Sequence, residues 1–315
     1  MRRPANGTRT LLLAVDFSRP AARAAHYAIK LASVLNLSLT IVHVLQAPAG
    51  FASRTPVTRR SLDPLRTKAL LELGKLVRFA NDNQVKAGYQ LLAGLPEEVI
   101  LQAADEVHAD LIVMGTHGRS GLDRLKLGSV AEAILRRAPC PVLTIRAATG
   151  GHPVVHPLRI HLNRMLVATD FSPSSESALH LSAGLARVLA AEIHLLHVAA
   201  SPAKVGSPSD PAACSRETRI NEKFRRAIGV SRAGDLVSQC LVLHGEPAEE
   251  ILAHAAQTRT RLIVIGTQGR RGLQRLLVGS VAEAVIRGAR CPVMVVRNGA
   301  RHPRPVVHSL EARRH

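Results

Sequence analysis

One stretch of this chain occurs twice, and that repetition limits what the chain can become. Met114 to Ala138 reads MGTHGRSGLDRLKLGSVAEAILRRA, and Ile265 to Ala289 reads IGTQGRRGLQRLLVGSVAEAVIRGA, displaced by 151 residues. Both copies keep one glycine skeleton: Gly115, Gly118 and Gly128-Ser129, then Gly266, Gly269 and Gly279-Ser280. Each copy follows a short apolar run and leads into an Ala/Leu/Ile-rich segment with helical spacing. This predicts strand, glycine loop and helix N-terminus, an arrangement that holds phosphate on backbone N–H groups.

The rest of each half alternates apolar runs with helical periodicity. Thr10 to Val15 is an uninterrupted apolar strand that stops at Asp16-Phe17-Ser18, and Ser18 with Pro20 supplies helix-start chemistry for 21–35. Strands are expected at 39–45, 85–93, 111–114 and 141–145, and helices at 65–81, from Pro96 onward and at 130–137. Gln46 to Pro64, with three prolines and several arginines, reads as a surface loop. Strands separated by helices imply right-handed crossovers and a parallel, doubly wound α/β sheet. From Arg164 the order restarts. LLLAVDFS at 11–18 returns as MLVATDFS at 165–172, and IVHV at 41–44 as LLHV at 195–198. Gly94-Leu95-Pro96 returns as Gly245-Glu246-Pro247, and Cys140-Pro141-Val142 as Cys291-Pro292-Val293.

These breaks predict a first domain over 8–147, a linker over 148–161, a second domain over 162–297 and a basic tail over 298–315. The linker holds His152, His156 and His161 among prolines and glycines, and they read as solvated histidines rather than metal ligands. Arg2-Arg3 before Leu11-Leu12-Leu13 has the look of an export signal, but the apolar run ends at Asp16, so it reads as the first strand. No uncharged apolar run approaches the roughly 20 residues that span a bilayer. The four cysteines form no C-x-x-C, which together with the missing export signal points to a reducing cytoplasm.

The formal net charge is +19, shared evenly: 20 Lys/Arg against 11 Asp/Glu before residue 151, then 22 against 12. Such a field attracts polyanions nonspecifically. With no Trp, two Tyr and five Phe, base-stacking platforms are scarce, and no nucleic-acid-binding pattern stands out. Other chemistries drop out on motif. There is no G-x-x-x-x-G-K-[ST], no G-x-G-x-x-G in the first strand-helix turn, no G-x-S-x-G and no H-E-x-x-H. No nucleophile-base pair is common to both halves, so the chain does not read as an enzyme, and a slow ATPase ranks last.

In a doubly wound sheet, ligands bind beyond the carboxyl ends of the strands where strand order reverses. Asp16, Val44 and the first loop should converge there, as should Asp170, Val198 and the second loop. Glycines admit close backbone approach, Ser129 and Ser280 sit where helices begin, and a strand-end aspartate accepts hydrogen bonds from a ribose or adenine edge. A plainer reading stands beside this one. The glycines can be strand-end turns, the serines helix caps and the aspartates caps of the first helices.

The doubled G-x-x-G, nine residues, G-S pattern resembles the universal stress protein family. VDFS and TDFS, the HV ending strand two, the G-x-P and the closing CPV agree with it. The resemblance covers both halves and implies a five-stranded parallel sheet in the order 3-2-1-4-5 in each, within a tandem member of the ATP-binding branch. It implies that Ala14, Val15, Asp16 and Val44 surround adenine and ribose. Met114, Gly115, His117 and Gly118 would line ribose and phosphates, with Gly128, Ser129 and Val130 at the triphosphate. The matching second set is Ala168, Thr169, Asp170, Val198, Ile265, Gly266, Gln268, Gly269, Gly279, Ser280 and Val281. Gln268 stands where the family often has histidine. The resemblance further implies ATP with Mg2+ or Mn2+ beside the phosphates, an internal pseudo-dimer of the two halves with room for a further homodimer, and a protein partner that stays unknown. The function expected is an ATP-binding regulatory or protective module in stress response. The alternative is a nucleotide-free scaffold for a protein or an anionic polymer.

Overall fold

A computed structural model describes residues 9–46, 59–116, 127–146, 162–199, 211–267 and 278–299, and the chain forms two compact units divided between residues 160 and 161. The first unit runs β1 (Thr10–Ala14), α1 (Arg19–Leu35), β2 (Ser38–Gln46), α2 (Arg59–Asp82), β3 (Ala87–Gly94), α3 (Pro96–Glu106), β4 (Leu111–Gly115), α4 (Ser129–Arg137) and β5 (Val142–Ile145). The second repeats it as β6 (Arg164–Ala168), α5 (Pro173–Leu189), β7 (Glu192–Ala199), α6 (Pro211–Ser231), β8 (Val237–His244), α7 (Pro247–Gln257), β9 (Leu262–Gly266), α8 (Ser280–Gly288) and β10 (Val293–Val296).

All strand pairs within each unit are parallel. The order is β3-β2-β1-β4-β5 in the first and β8-β7-β6-β9-β10 in the second, as the resemblance implies. The central strands are apolar without alternation because helices cover both of their faces. Leu11, Leu12 and Leu13 are wholly buried, as are Met165, Leu166 and Val167. β3 and β8 are edge strands, and their residues are half-buried or exposed accordingly, apart from Gly94 at the end of β3.

The loop expected over Gln46–Pro64 is shorter at its far end. Residues from Arg59 onward are helical and Pro64 lies inside α2; in the second unit α6 already begins at Pro211. Proline lacks a backbone donor and the first turn of a helix asks for none, which suits Pro211 at the start of α6. Pro64 lies beyond the first turn of α2, which runs through it without that hydrogen bond. Residues 47–58 and 200–210 lie outside the described residues.

Helix entry follows the sequence closely. Ser18 and Ser172 are N-caps whose hydroxyls accept from the N–H of Ala21 and Ser175, each at 3.4 Å. Helix exit does not. α1 ends on Asn36 at φ 51°, and α5 ends on Ala190 at φ 49°, where alanine has no side chain to favour the left-handed conformation.

Candidate functional site

The switch in strand order falls between β1 and β4, and between β6 and β9, so each unit has a crevice at the carboxyl ends of these strands. The first wall of it is the corner after β1. Asp16 Oδ1 accepts from the Ser18 N–H at 3.0 Å and from the Ser18 hydroxyl at 2.6 Å, while Ser18 also caps α1. Phe17, between them, is held at φ 61°. The second unit builds the corner differently. Asp170 Oδ1 accepts from the Ser172 N–H at 3.1 Å, but the Ser172 hydroxyl lies 3.1 Å from that of Ser174. The Thr169 hydroxyl, where the first unit has Val15, accepts from the Phe171 N–H at 3.0 Å. Phe171 keeps a φ of 59°. The aspartates therefore organise the turn into the first helices. The caps are Ser18 and Ser172 rather than the aspartates of the plainer reading, and both aspartates stay half-buried at the crevice.

A histidine braces each corner from the neighbouring strand. His43 Nδ1 lies 2.7 Å from the Val15 carbonyl, and His197 Nδ1 lies 2.8 Å from the Thr169 carbonyl. A carbonyl only accepts, so Nδ1 carries the proton in both. Each ring also rests on the strained phenylalanine, with centroids 4.4 Å apart for Phe17–His43 and 4.7 Å for Phe171–His197. These histidines are absent from the expected site residues, although their repetition in HV was the available signal. His43→Ala should cost the first unit about 1–3 kcal/mol in denaturant unfolding, because a buried carbonyl loses its donor. His43→Asn, whose amide can reach the same carbonyl, should recover part of that.

The second wall is the end of β4 with the start of α4. Thr116 N–H donates to Ile145 O at 3.0 Å, and Gly128 N–H donates back to Thr116 O at 3.0 Å. The intervening loop is thereby closed at its mouth, and the start of α4 is tied to the end of β4. The second unit repeats the closure, with Thr267 N–H to Val296 O at 2.9 Å and Gly279 N–H to Thr267 O at 2.8 Å. A Cβ on Gly279 would lie 2.9 Å from that carbonyl, so the position requires glycine. Gly128 and Gly279 are the N-caps of α4 and α8, and neither helix has a side-chain cap. Their first N–H groups thus face the crevice with the positive end of the helix dipole. Ser129 and Ser280 are exposed at this end, and Val130 and Val281 are half-buried behind them.

Gly115 and Gly266 have a different reason to be glycine. A Cβ on Gly115 would sit 3.1 Å from the Ala21 N, and one on Gly266 would sit 2.9 Å from the Ser175 N. They let β4 and β9 pass under the first turns of α1 and α5. Ala14, Val15, Met114, Ala168, Thr169 and Ile265 are buried at the floor of the two crevices, while Val44 and Val198 are half-buried at the ends of β2 and β7. His117, Gly118, Gln268 and Gly269 lie outside the described residues. Thr267 is a site residue that the sequence reading does not single out. Its hydroxyl is buried at the loop mouth and has no hydrogen-bond partner among the described residues. Among the described residues no group of three or more His, Cys, Asp or Glu could hold a metal ion.

Fold and site define a class: tandem doubly wound α/β domains, each with a glycine-capped helix start at its switch point. The sequence pattern of the universal stress protein family matches residues 7–146 and 161–297, and the chain belongs to that family. A universal stress protein of Mycobacterium tuberculosis is 29% identical over 294 residues, covering 91% of this chain and 96% of the relative. The universal stress protein YxiE of Bacillus subtilis is 33% identical over 147 residues, 43% of this chain and 99% of its own. Among solved structures, a universal stress protein from Archaeoglobus fulgidus superposes with a TM-score of 0.66 at 23% identity, covering 92% of this chain and 96% of that one. That likeness concerns the fold. Among the described residues no helix is long and apolar enough to cross a membrane.

Proposed function

We propose that each crevice binds ATP, and that the chain uses this binding as a regulatory or protective module in stress response. The observation that carries the proposal is the closed loop mouth, which sets the uncapped N-terminus of α4 or α8 at the carboxyl end of the sheet. Phosphates would lie on the N–H groups of Gly128, Ser129 and Val130, or of Gly279, Ser280 and Val281. Asp16 or Asp170 would accept from the ribose, with Ala14, Val15 and Val44, or Ala168, Thr169 and Val198, against the base. The orphaned Thr267 hydroxyl gives the second crevice one buried polar group for a ligand to satisfy. Mg2+ or Mn2+ would accompany the phosphates and neutralise their charge. The setting proposed is the cytoplasm, on the cysteine usage.

The test uses the exposed serines. ATP at 100 times its dissociation constant should stabilise the chain by about 2.7 kcal/mol, seen as a rise in melting temperature, and native mass spectrometry should count the bound nucleotides. Ser129→Asp with Ser280→Asp places a carboxylate where phosphate would sit, yet a helix start tolerates an acid well. The double variant should fold normally and lose the ATP-induced shift. No shift in the parent protein, or an equal shift in the variant, would overturn the proposal.

The net charge of +19 favours a second reading, a nucleotide-free scaffold that attracts a protein or an anionic polymer. On that reading binding falls steeply with salt and ignores both serine substitutions.

A further inference from the structure

The two repeats differ sharply at one place between sheet and helix. His194 on β7 is 5% exposed, and its Nδ1 lies 3.3 Å from Nε2 of His254 on α7, with ring centroids 5.6 Å apart. The repeat-equivalent residues in the first unit are Thr40, displaced by 154, and Ala103, displaced by 151. Two imidazoles can share this bond only if one nitrogen donates and the other accepts, so the accepting ring must be neutral and at most one of the two rings can be charged. A proton on the accepting nitrogen would leave two N–H groups facing each other and a cation with little water around it. We propose that the His194–His254 pair is an acid-sensitive latch that holds α7 against β7 in the second unit alone.

Few charges surround the pair. Glu192, two residues away on β7, is ion-paired with Arg164 of β6, and Arg164 also donates to the Thr258 carbonyl after α7. β8 brings Cys240 and His244, the segment before β9 brings Arg259 and Arg261, and α7 carries Glu249 and Glu250 in its first turn. α8, packed on α7, brings Glu283 and Arg287, themselves paired at 3.5 Å. Burial pushes His194 below the ordinary imidazole value; Glu192 partly offsets this and Arg164 adds to it. Burial also lowers His254, and His194 lowers it further. The last turn of α7 favours a cation at His254, so His194 in the strand is the ring whose protonation the site resists more.

The sign follows from linkage. With both folded values below the unfolded value of 6.5, the unfolded chain binds protons that the folded chain refuses. The latch is intact above that value, survives a first proton on the donor ring, and is lost as the pH falls through the lowered value at which the accepting ring also charges. Release would reach further than α7, because Leu252 of α7 lies where a Cβ on Gly288 of α8 would have to go. None of this depends on a nucleotide in either crevice.

Hydrogen–deuterium exchange on the full chain tests it, at about pH 7.5 and about pH 5.5, either side of the imidazole range. After correction for intrinsic rates, protection of α7 should fall roughly tenfold or more at the lower pH, while α3 serves as the internal control. His194→Thr with His254→Ala, the residues of the first repeat, should remove that dependence. Equal pH dependence in α3 and α7, or an unchanged loss in the double variant, would overturn the latch. Should that variant not fold, imidazole titration by NMR in the parent protein decides. Values for His194 and His254 below 6.5 support the latch, and values at or above it refute it.

Discussion

Gly266→Ala is expected to destabilise the second unit by about 1–3 kcal/mol, although it adds only a methyl group. The new Cβ would meet main-chain atoms of α5, 2.9 Å from both Ser174 C and Ser175 N, and a helix backbone cannot turn aside as a side chain can. Gly115→Ala should be milder, since its nearest neighbour is the Pro20 Cβ at 2.8 Å and the Ala21 N is 3.1 Å away. Gly184 supplies the contrast. It lies inside α5 with nothing within 4 Å of a built Cβ, so Gly184→Ala should stabilise by up to about 1 kcal/mol on helix propensity alone. Urea unfolding at constant slope reads all three. If Gly266→Ala proved neutral, the close strand-helix approach would not be a constraint on that position.

The largest losses are expected from the middle of the sheet. Leu12→Ala and Leu166→Ala should each cost about 2–5 kcal/mol, the transfer term plus the cavity left behind. Both side chains are fully buried, on the strands that β2 and β4, or β7 and β9, flank on either side. Leu71→Ala on the outside of α2, where the side chain is 63% exposed, should stay within about 0.5 kcal/mol. Similar losses for Leu12 and Leu166 would show that the repeat shares its energetics as well as its order. A loss below about 1 kcal/mol at either would mean that the core there collapses around the gap.

Much of this was legible in the chain because the signals are local. The apolar run at Thr10–Ala14, the Ser18 cap, Pro96 after Gly94, and Gly128-Ser129 before a helical period each name an element and its direction. Repetition then removed the ambiguity that any one copy leaves. The boundaries of α2 and α6 were less legible, since proline carries the same letter whether it closes a loop, opens a helix as Pro211 does or lies inside one as Pro64 does.

Other features have no local signal. Asn36 and Ala190 share a left-handed conformation, and so do Gln84 with Arg232 and His108 with Arg259. In each pair the chain must turn at that point to enter the next strand, and the packing of the unit sets φ whatever the residue. The bracing role of His43 and His197 depends on a carbonyl 28 residues earlier, and the His194–His254 contact spans 60 residues. Spacing along the chain cannot reveal either.

By itself, then, the sequence determined the parallel α/β architecture, its duplication and the place of the glycine loops, because hydrophobic period, caps and glycines act over a few residues. Only the tertiary structure decided why each glycine is needed. Gly115 and Gly266 make room for a helix start, while Gly128 and Gly279 close the loop onto a threonine carbonyl. The reason is physical: a missing Cβ matters through what lies beside it, and those neighbours come from β1–α1 or β6–α5, about a hundred residues away along the chain, or from the far side of the loop.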